Sequence, residues 1–246
     1  MMRSGNPALK DETFRGIRAE GGEDAMTIQG TVNKTGLSLF ILMVTAMWTW
    51  TRHVQGYPLG GLMLLGGLGG FVVAMVTIFK QNAAPYTTPV YGALEGLLLG
   101  GLSATYEARY PGIVMNAVAL TFGTLFALLA AYKSRLIAVT DNMRLGVAAA
   151  TGGLMLVYLI GFVMSFFGVR IPYIHESGPV GIAFSVFVVG LASFNLVMDF
   201  DFIERGADAG APKHMEWYGA FGLVVTLVWL YLEMLRLLAK MQSRRD

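Results

Sequence analysis

The chain contains no cysteine, and that absence removes disulfides, thiol nucleophiles, iron–sulfur clusters and cysteine-ligated zinc together. Charge is scarce as well: acidic and basic residues make up 14% of the 246 positions, where a soluble domain carries about 25%. A water-soluble globule is therefore not expected. No HExxH, GxSxG or phosphate-loop signature occurs, and His53, His175 and His214 stand far apart in separate connecting segments. Neither an enzyme nor a bound cofactor is expected, and a formal net charge of only +2 gives no footprint for nucleic acid.

What is present is apolar surface. Hydrophobic residues make up 55% of the chain, with 31 glycines and 15 methionines. Small residues let helices approach closely where lipid already solvates the apolar side chains. A bilayer core takes about 20 mainly apolar residues per helix. The sequence offers seven such runs, at 34–50, 59–80, 85–107, 112–133, 145–167, 179–203 and 216–239. Turn chemistry separates them, as in Gly56-Tyr57-Pro58, Pro111-Gly112, Thr140-Asp141-Asn142 and Ser177-Gly178-Pro179. Trp48, Trp50, Tyr57, Tyr110, Tyr132, Tyr173, Trp217 and Tyr218 fall near the ends of the runs, as interfacial aromatics do. The expected class is an all-α integral membrane protein with about seven transmembrane helices in residues 33–246. A flexible polar tail, residues 1–32, precedes them; it carries Lys10, Glu12, Arg15, Arg18, Glu20, Glu23 and Asp24. The first apolar run starts late and is followed by others, so it reads as a membrane helix and not as a cleaved signal.

Basic residues orient the chain. Lys80, Lys133, Arg135, Arg144, Arg205 and Lys213 fall on the side of the N terminus, with Arg52, Arg109 and Arg170 on the other, which favours a cytoplasmic N terminus. Lys240, Arg244 and Arg245 then end outside, against the rule, and leave a re-entrant last segment as the alternative. Glycine pairs at Gly60-Gly61, Gly66-Gly67, Gly69-Gly70 and Gly100-Gly101 are expected to serve close helix contacts.

Ionisable groups at membrane depth cost about 2.5–3.5 kcal/mol on insertion scales, which makes them the candidates for function. Glu95 stands near the middle of the third run, to be either protonated and hydrogen-bonded or a cation or proton site. Asp199 and Asp201 close the sixth run. At helical spacing i and i+2 point to different faces, so Asp199 is expected to look inward and Asp201 toward the loop, where Arg205 can pair with it. Glu216 opens the seventh run, where a carboxylate favours its own helix N terminus. Glu233 with Arg236, and Glu107 with Arg109, are expected to form local ion pairs.

Three stretches resemble the Bax inhibitor-1 family, also called the transmembrane Bax inhibitor motif family, and particularly its bacterial YccA-like branch. They are Asp199-Phe200-Asp201-Phe202-Ile203, the Tyr231-Leu232-Glu233-Met234-Leu235-Arg236-Leu237-Leu238 ending, and Glu95-Gly96 with Leu97 to Gly101. The resemblance spans residues 34–240 and has no counterpart for the tail. It implies a seven-helix bundle with the last helix central and wrapped by the other six, in a bacterial cytoplasmic membrane, conducting a pH-sensitive calcium leak. It also implies two aspartates, on helices six and seven, that share a proton and latch on a basic residue of helix two. Asp199 falls on the first. Thr226 stands where the second belongs, with Glu233 seven residues further on, and Lys80 is the nearest cation to helix two. Glu95, Glu216 and Asp201 are the acids left to complete a pair with Asp199, which would also be the calcium ligand. The function expected is a calcium-permeable cation leak in the lipid bilayer. The alternative is a non-transporting regulator that binds another membrane protein or a protease through its glycine-rich faces.

Overall fold

A computed structural model of the chain describes residues 25–168 and 176–244. Within them lie seven helices: α1 (Ile28–Val54), α2 (Gly60–Phe79), α3 (Ala84–Arg109), α4 (Ile113–Lys133), α5 (Asp141–Phe166), α6 (Pro179–Asp208) and α7 (Met215–Ser243). Six are long and apolar enough to cross a bilayer. The exception, α3, is as long as α5 at 26 residues, but glycine, threonine, proline and Glu95 dilute its hydropathy. Short connectors join it to α2 and α4, so it runs antiparallel to both and completes the bundle.

The helices start where local chemistry dictates. The Thr27 hydroxyl accepts from Gly30 N at 3.0 Å to cap α1, and the Thr140 hydroxyl accepts from Met143 N at 3.2 Å to cap α5. Pro179 begins α6, where its missing N–H costs nothing. Gly112 takes φ +84° to turn the chain into α4. Its N–H, and that of Val114, donate to the Glu107 carboxylate at 2.6 and 3.1 Å. Glu107 is thus a cap on α4 and not the partner of Arg109, whose guanidinium lies 5.5 Å from the Tyr110 ring centre.

Helix α1 begins earlier than its apolar run suggests. Met26, Thr31, Thr35 and Ser38 are all buried, and Met26 N donates to Ala211 O at 2.6 Å, so residues 25–32 belong to the bundle and not to a tail. Residues 1–24 and the Arg170, Pro172, Tyr173 and His175 segment lie outside the described residues. The inward face of α1 is hydroxylic: Thr31, Thr35 and Ser38 donate to carbonyls one turn back at 2.8–3.0 Å, which satisfies them without water. Large apolar groups such as Phe40, Phe71, Phe126 and Phe162 point outward, as lipid-facing residues do.

Helix α7 is the axis. Of its most apolar stretch 61% is buried, against 17–22% for α1, α2, α4 and α5. It packs on α1, α3, α4 and α6. Helices α2 and α5 pack chiefly on α3 and α6, so the expected wrapping by all six helices is reduced to four main neighbours with two outriders. Glycine makes the α1–α2–α3 side possible. A Cβ at Gly92 would lie 2.8 Å from Ser38 O of α1, and one at Gly66 would lie 2.6 Å from Leu94 O of α3. These backbones touch directly.

The two ends of the bundle are fixed by contacts. At the N-terminal end, the start of α1 meets the start of α7, and the ends of α4 and α6 meet the start of α5. At the other end, the last turns of α3 and α7 meet the residues before α6. The unbroken α7 runs about 43 Å, long enough to cross a bilayer in full. A topology reporter placed between Arg170 and Ser177 is expected on the opposite side of the membrane from one placed between Arg205 and Lys213. Recovery of both on one side would contradict seven crossings.

Candidate functional site

The buried charged residues, Glu95 of α3 apart, lie on α5, α6 and α7. Along α6, every residue from Asn195 to Ile203 is buried, because α1, α4, α5 and α7 surround it there. That overturns the division expected for the aspartates. Asp199 is fully buried, as expected, but Asp201 is buried too, at 8% exposure. The facing argument fails because α6 continues to Asp208, so neither aspartate is at a helix end and both faces of the helix are covered.

Asp201 accepts from two guanidinium groups, Arg144 of α5 at 3.1 Å and Arg205 one turn along α6. Arg144, itself buried, also donates to Asp141 at 2.8 Å. Beside this network the Tyr132 hydroxyl donates to Glu204, and Arg135 donates to the other oxygen of the same carboxylate at 2.8 Å. Arg144 is the residue that sequence reasoning missed. The signal was available: a cation in the first turn of a helix opposes the macrodipole, so its position calls for an acid from elsewhere.

One turn from Asp199 toward the other end, Asn195 donates to Thr151 Oγ1 at 2.8 Å and to Leu191 O at 2.9 Å. Here a cavity of about 320 Å³ opens between the three helices, and Thr151, Asn195, Thr226 and Glu233 supply much of its polar lining. Thr226 lies on the lining of this cavity. Beyond the cavity, Glu233 is buried and accepts from Arg236 at 2.5 Å and from the Tyr158 hydroxyl at 3.1 Å. The expected Glu233–Arg236 pair is present, and Tyr158 extends it to α5. Arg236 also lines a second cavity of about 480 Å³ at the C-terminal end, so this pair stands between the two spaces.

The other candidate acids are elsewhere. Glu95 faces α2: a Cβ at Gly70 would lie 3.0 Å from its Oε1, and Tyr91 one turn away is its hydrogen-bonding neighbour. Helix α7 packs on both α3 and α6, while those two share no extensive packing, so Glu95 is not brought to Asp199. Glu216 is fully buried at the N-terminal end. It accepts from Thr27 N at 2.9 Å, from the Thr27 hydroxyl at 2.7 Å, from Lys213 at 3.0 Å, and from Lys34, whose ammonium also lies 5.6 Å from the Trp217 ring centre. It therefore serves the start of α1 and not, as expected, its own helix. In the connector beside it, burial lowers the His214 pKa. The basic latch expected on α2 is not there: α2 holds no basic residue, and Lys80 after it is exposed. Lys34 of α1 and Arg144 of α5 pair instead with Glu216 and Asp201. Among the described residues no three acidic or histidine side chains gather as a metal site.

A helical bundle with an inside-facing polar seam and a lipid-facing apolar exterior defines a polytopic integral membrane protein. The family model described as Bax inhibitor 1 like matches residues 6–243, and the chain belongs to that family. The match takes in most of the N-terminal segment, for which the resemblance offered no counterpart. No curated protein and no solved structure matches the chain.

Proposed function

We propose that the protein is a membrane cation leak, calcium-permeable and influenced by pH, whose path follows the α5–α6–α7 seam. The observation that supports this is the cavity between α5, α6 and α7, mostly apolar in lining but carrying Thr151, Tyr158, Asn195, Thr226 and the Glu233–Arg236 pair, with Asp199 one turn from Asn195 along α6. Carboxylate, amide and hydroxyl oxygens are the ligands a hard divalent ion takes. The two ion pairs, Arg144–Asp201 and Arg236–Glu233, close the path in this conformation, and conduction requires both to part. Calcium on this reading is cargo that passes Asp199, not a resident ion. Orientation by the basic residues of the connectors puts the N-terminal end in the cytoplasm of a bacterial inner membrane, with the chain in the YccA-like branch of its family.

A second reading, a non-transporting regulator of another membrane protein or protease, is favoured by Thr226, since a hydroxyl cannot form a coupled, proton-sharing carboxylate pair with Asp199. It gains nothing from the glycine-rich faces of α2 and α3, whose most crowded positions are consumed by packing inside the bundle.

Calcium flux into liposomes from about pH 5 to 8 tests the leak. Two carboxylates that share a proton titrate as a coupled pair, so Thr226→Asp is expected to steepen the pH response. Asp199→Asn is expected to flatten it, and Glu95→Gln, away from the seam, to leave it unchanged. Absence of flux at every pH refutes the leak. A steep response at neutral pH that Thr226→Asp does not alter would show that another acid completes the pair.

A further inference from the structure

We propose that the cavity between α1, α3, α4 and α7 is a binding site for one acyl chain of a membrane phospholipid. The cavity measures about 230 Å³. Helices α1 and α4 flank it, and α3 and α7 form its back wall, where Leu99, Leu227 and Val228 are buried. The two flanking helices both pack on α7 and share no extensive packing with each other. Met43 and Met47, which line the space from α1, are exposed, so it opens outward. The mouth continues into the lipid-facing surface, with exposed Phe40 one turn from Met43 and exposed Phe126 one turn from Phe122.

The chemistry of the walls selects the occupant. No acidic or basic residue lines the cavity among the described residues. Its hydroxyls are spent on the protein: Ser103 Oγ and the Tyr231 hydroxyl bond each other at 2.6 Å, and the Thr121 hydroxyl donates to Ala117 O at 2.8 Å. Water enters a cavity where it finds two to four polar partners, whereas an apolar cavity of about 150 Å³ takes up a hydrocarbon such as benzene. The shape fits a chain and not a compact group. Along α1 the lining runs from Leu39 to Trp50, about 16 Å at 1.5 Å per residue, parallel to the chains of a bilayer leaflet. It reaches Trp50 near the end of α1, where Trp48 and Tyr57 stand as interfacial aromatics do, so the chain comes from the leaflet on that side. Hydrocarbon gains nothing here from leaving water, since lipid already solvates it. The preference rests on dispersion contacts from walls on several sides, which a flat helix surface does not offer, and the flexible thioethers of Met43 and Met47 adapt to the chain. The site is independent of the leak reading.

The test uses the full chain in nanodiscs of phosphatidylcholine that include a phosphatidylcholine bearing a diazirine midway along one acyl chain. After irradiation, the labelled residues are located by mass spectrometry. Label is expected at Leu99, Leu227 or Val228, which are buried and beyond the reach of lipid at the outer surface. Val118→Phe, on the α4 wall, should lower that labelling about tenfold, because a ring that fills the space excludes the chain by overpacking. Label on the exposed Leu156 and Phe162 of α5 should not change, since neither lines the cavity. Met47→Trp narrows the mouth at an exposed position and decides the matter should Val118→Phe not fold. A parallel arm replaces the probe with diazirine palmitate. Label of the three buried residues by the free fatty acid and not by the phospholipid overturns the proposed occupant. Label confined to exposed residues, label of α7 at Trp229 or Leu232 alone, which face the α5–α6–α7 cavity, or labelling that neither variant lowers overturns the site.

Discussion

Glu216→Ala is expected to destabilise the protein by about 3 kcal/mol or more, the cost of breaking a buried ion pair by removing one partner. Its carboxylate is the acceptor for the backbone N–H and hydroxyl of Thr27, for Lys34 and for Lys213. Lys34 is mostly buried, so without the acid a cation and a helix-capping N–H lose their partner together. The carboxylate also sits against the bare backbone of Gly30, where a Cβ would overlap it, so the start of α1 is shaped to this one group. Thermal unfolding in detergent, followed by tryptophan fluorescence, measures the loss. Pairing Glu216→Gln with Lys34→Met should recover part of it, because replacing both charges removes the stranded cation. An unchanged melting temperature in Glu216→Ala would show that the anchoring of α1 to α7 rests on other contacts.

Gly92→Leu is expected to be worse, preventing assembly of the α1–α2–α3 side. Overpacking a core costs about 1–3 kcal/mol when side chains can shift. Here the obstacle is the Ser38 carbonyl, 2.8 Å from the position of the new Cβ, and backbone gives way less than a side chain does. Gly100→Leu meets the Ala46 carbonyl in the same way. Gly152→Leu provides the contrast: nothing lies within 4 Å of a Cβ there and the residue is exposed, so normal folding is expected. Expression and monodispersity in size-exclusion chromatography separate the outcomes. Equal behaviour of Gly92→Leu and Gly152→Leu would mean that α1 and α3 are not held at backbone contact.

Chain topology and helix limits were largely written in the sequence. The seven apolar runs agree with the observed helices to within a few residues at most ends, since length and hydropathy decide what a bilayer accepts. The start of α1 is the largest difference. Residues up to 32 read as polar tail, yet Thr31 is satisfied by the Thr27 carbonyl one turn back and Lys34 just beyond pairs with Glu216 of α7. The burial of Asp199 was legible from its depth in the sixth run, and the Glu233–Arg236 pair from spacing within one helix. Arg144 beside Asp201, Lys34 beside Glu216 and Tyr158 beside Glu233 were not, because each joins residues at least 57 positions apart in the chain.

By itself the sequence determined that this is a membrane protein of seven helices, where the turns fall and which few acids enter the bundle. Those properties follow from the hydropathy and local propensity of contiguous residues. Only the tertiary structure decided that Asp201 is buried, that Glu95 belongs to the α2–α3 contact, that Glu216 anchors α1, and that Thr226 shares a cavity with Asn195 and Glu233. The physical reason is that every helix here is apolar on most of its surface. Periodicity therefore cannot say which face meets which neighbour, and the choice falls to close backbone packing at glycine and to long-range pairing of charges that lipid will not solvate.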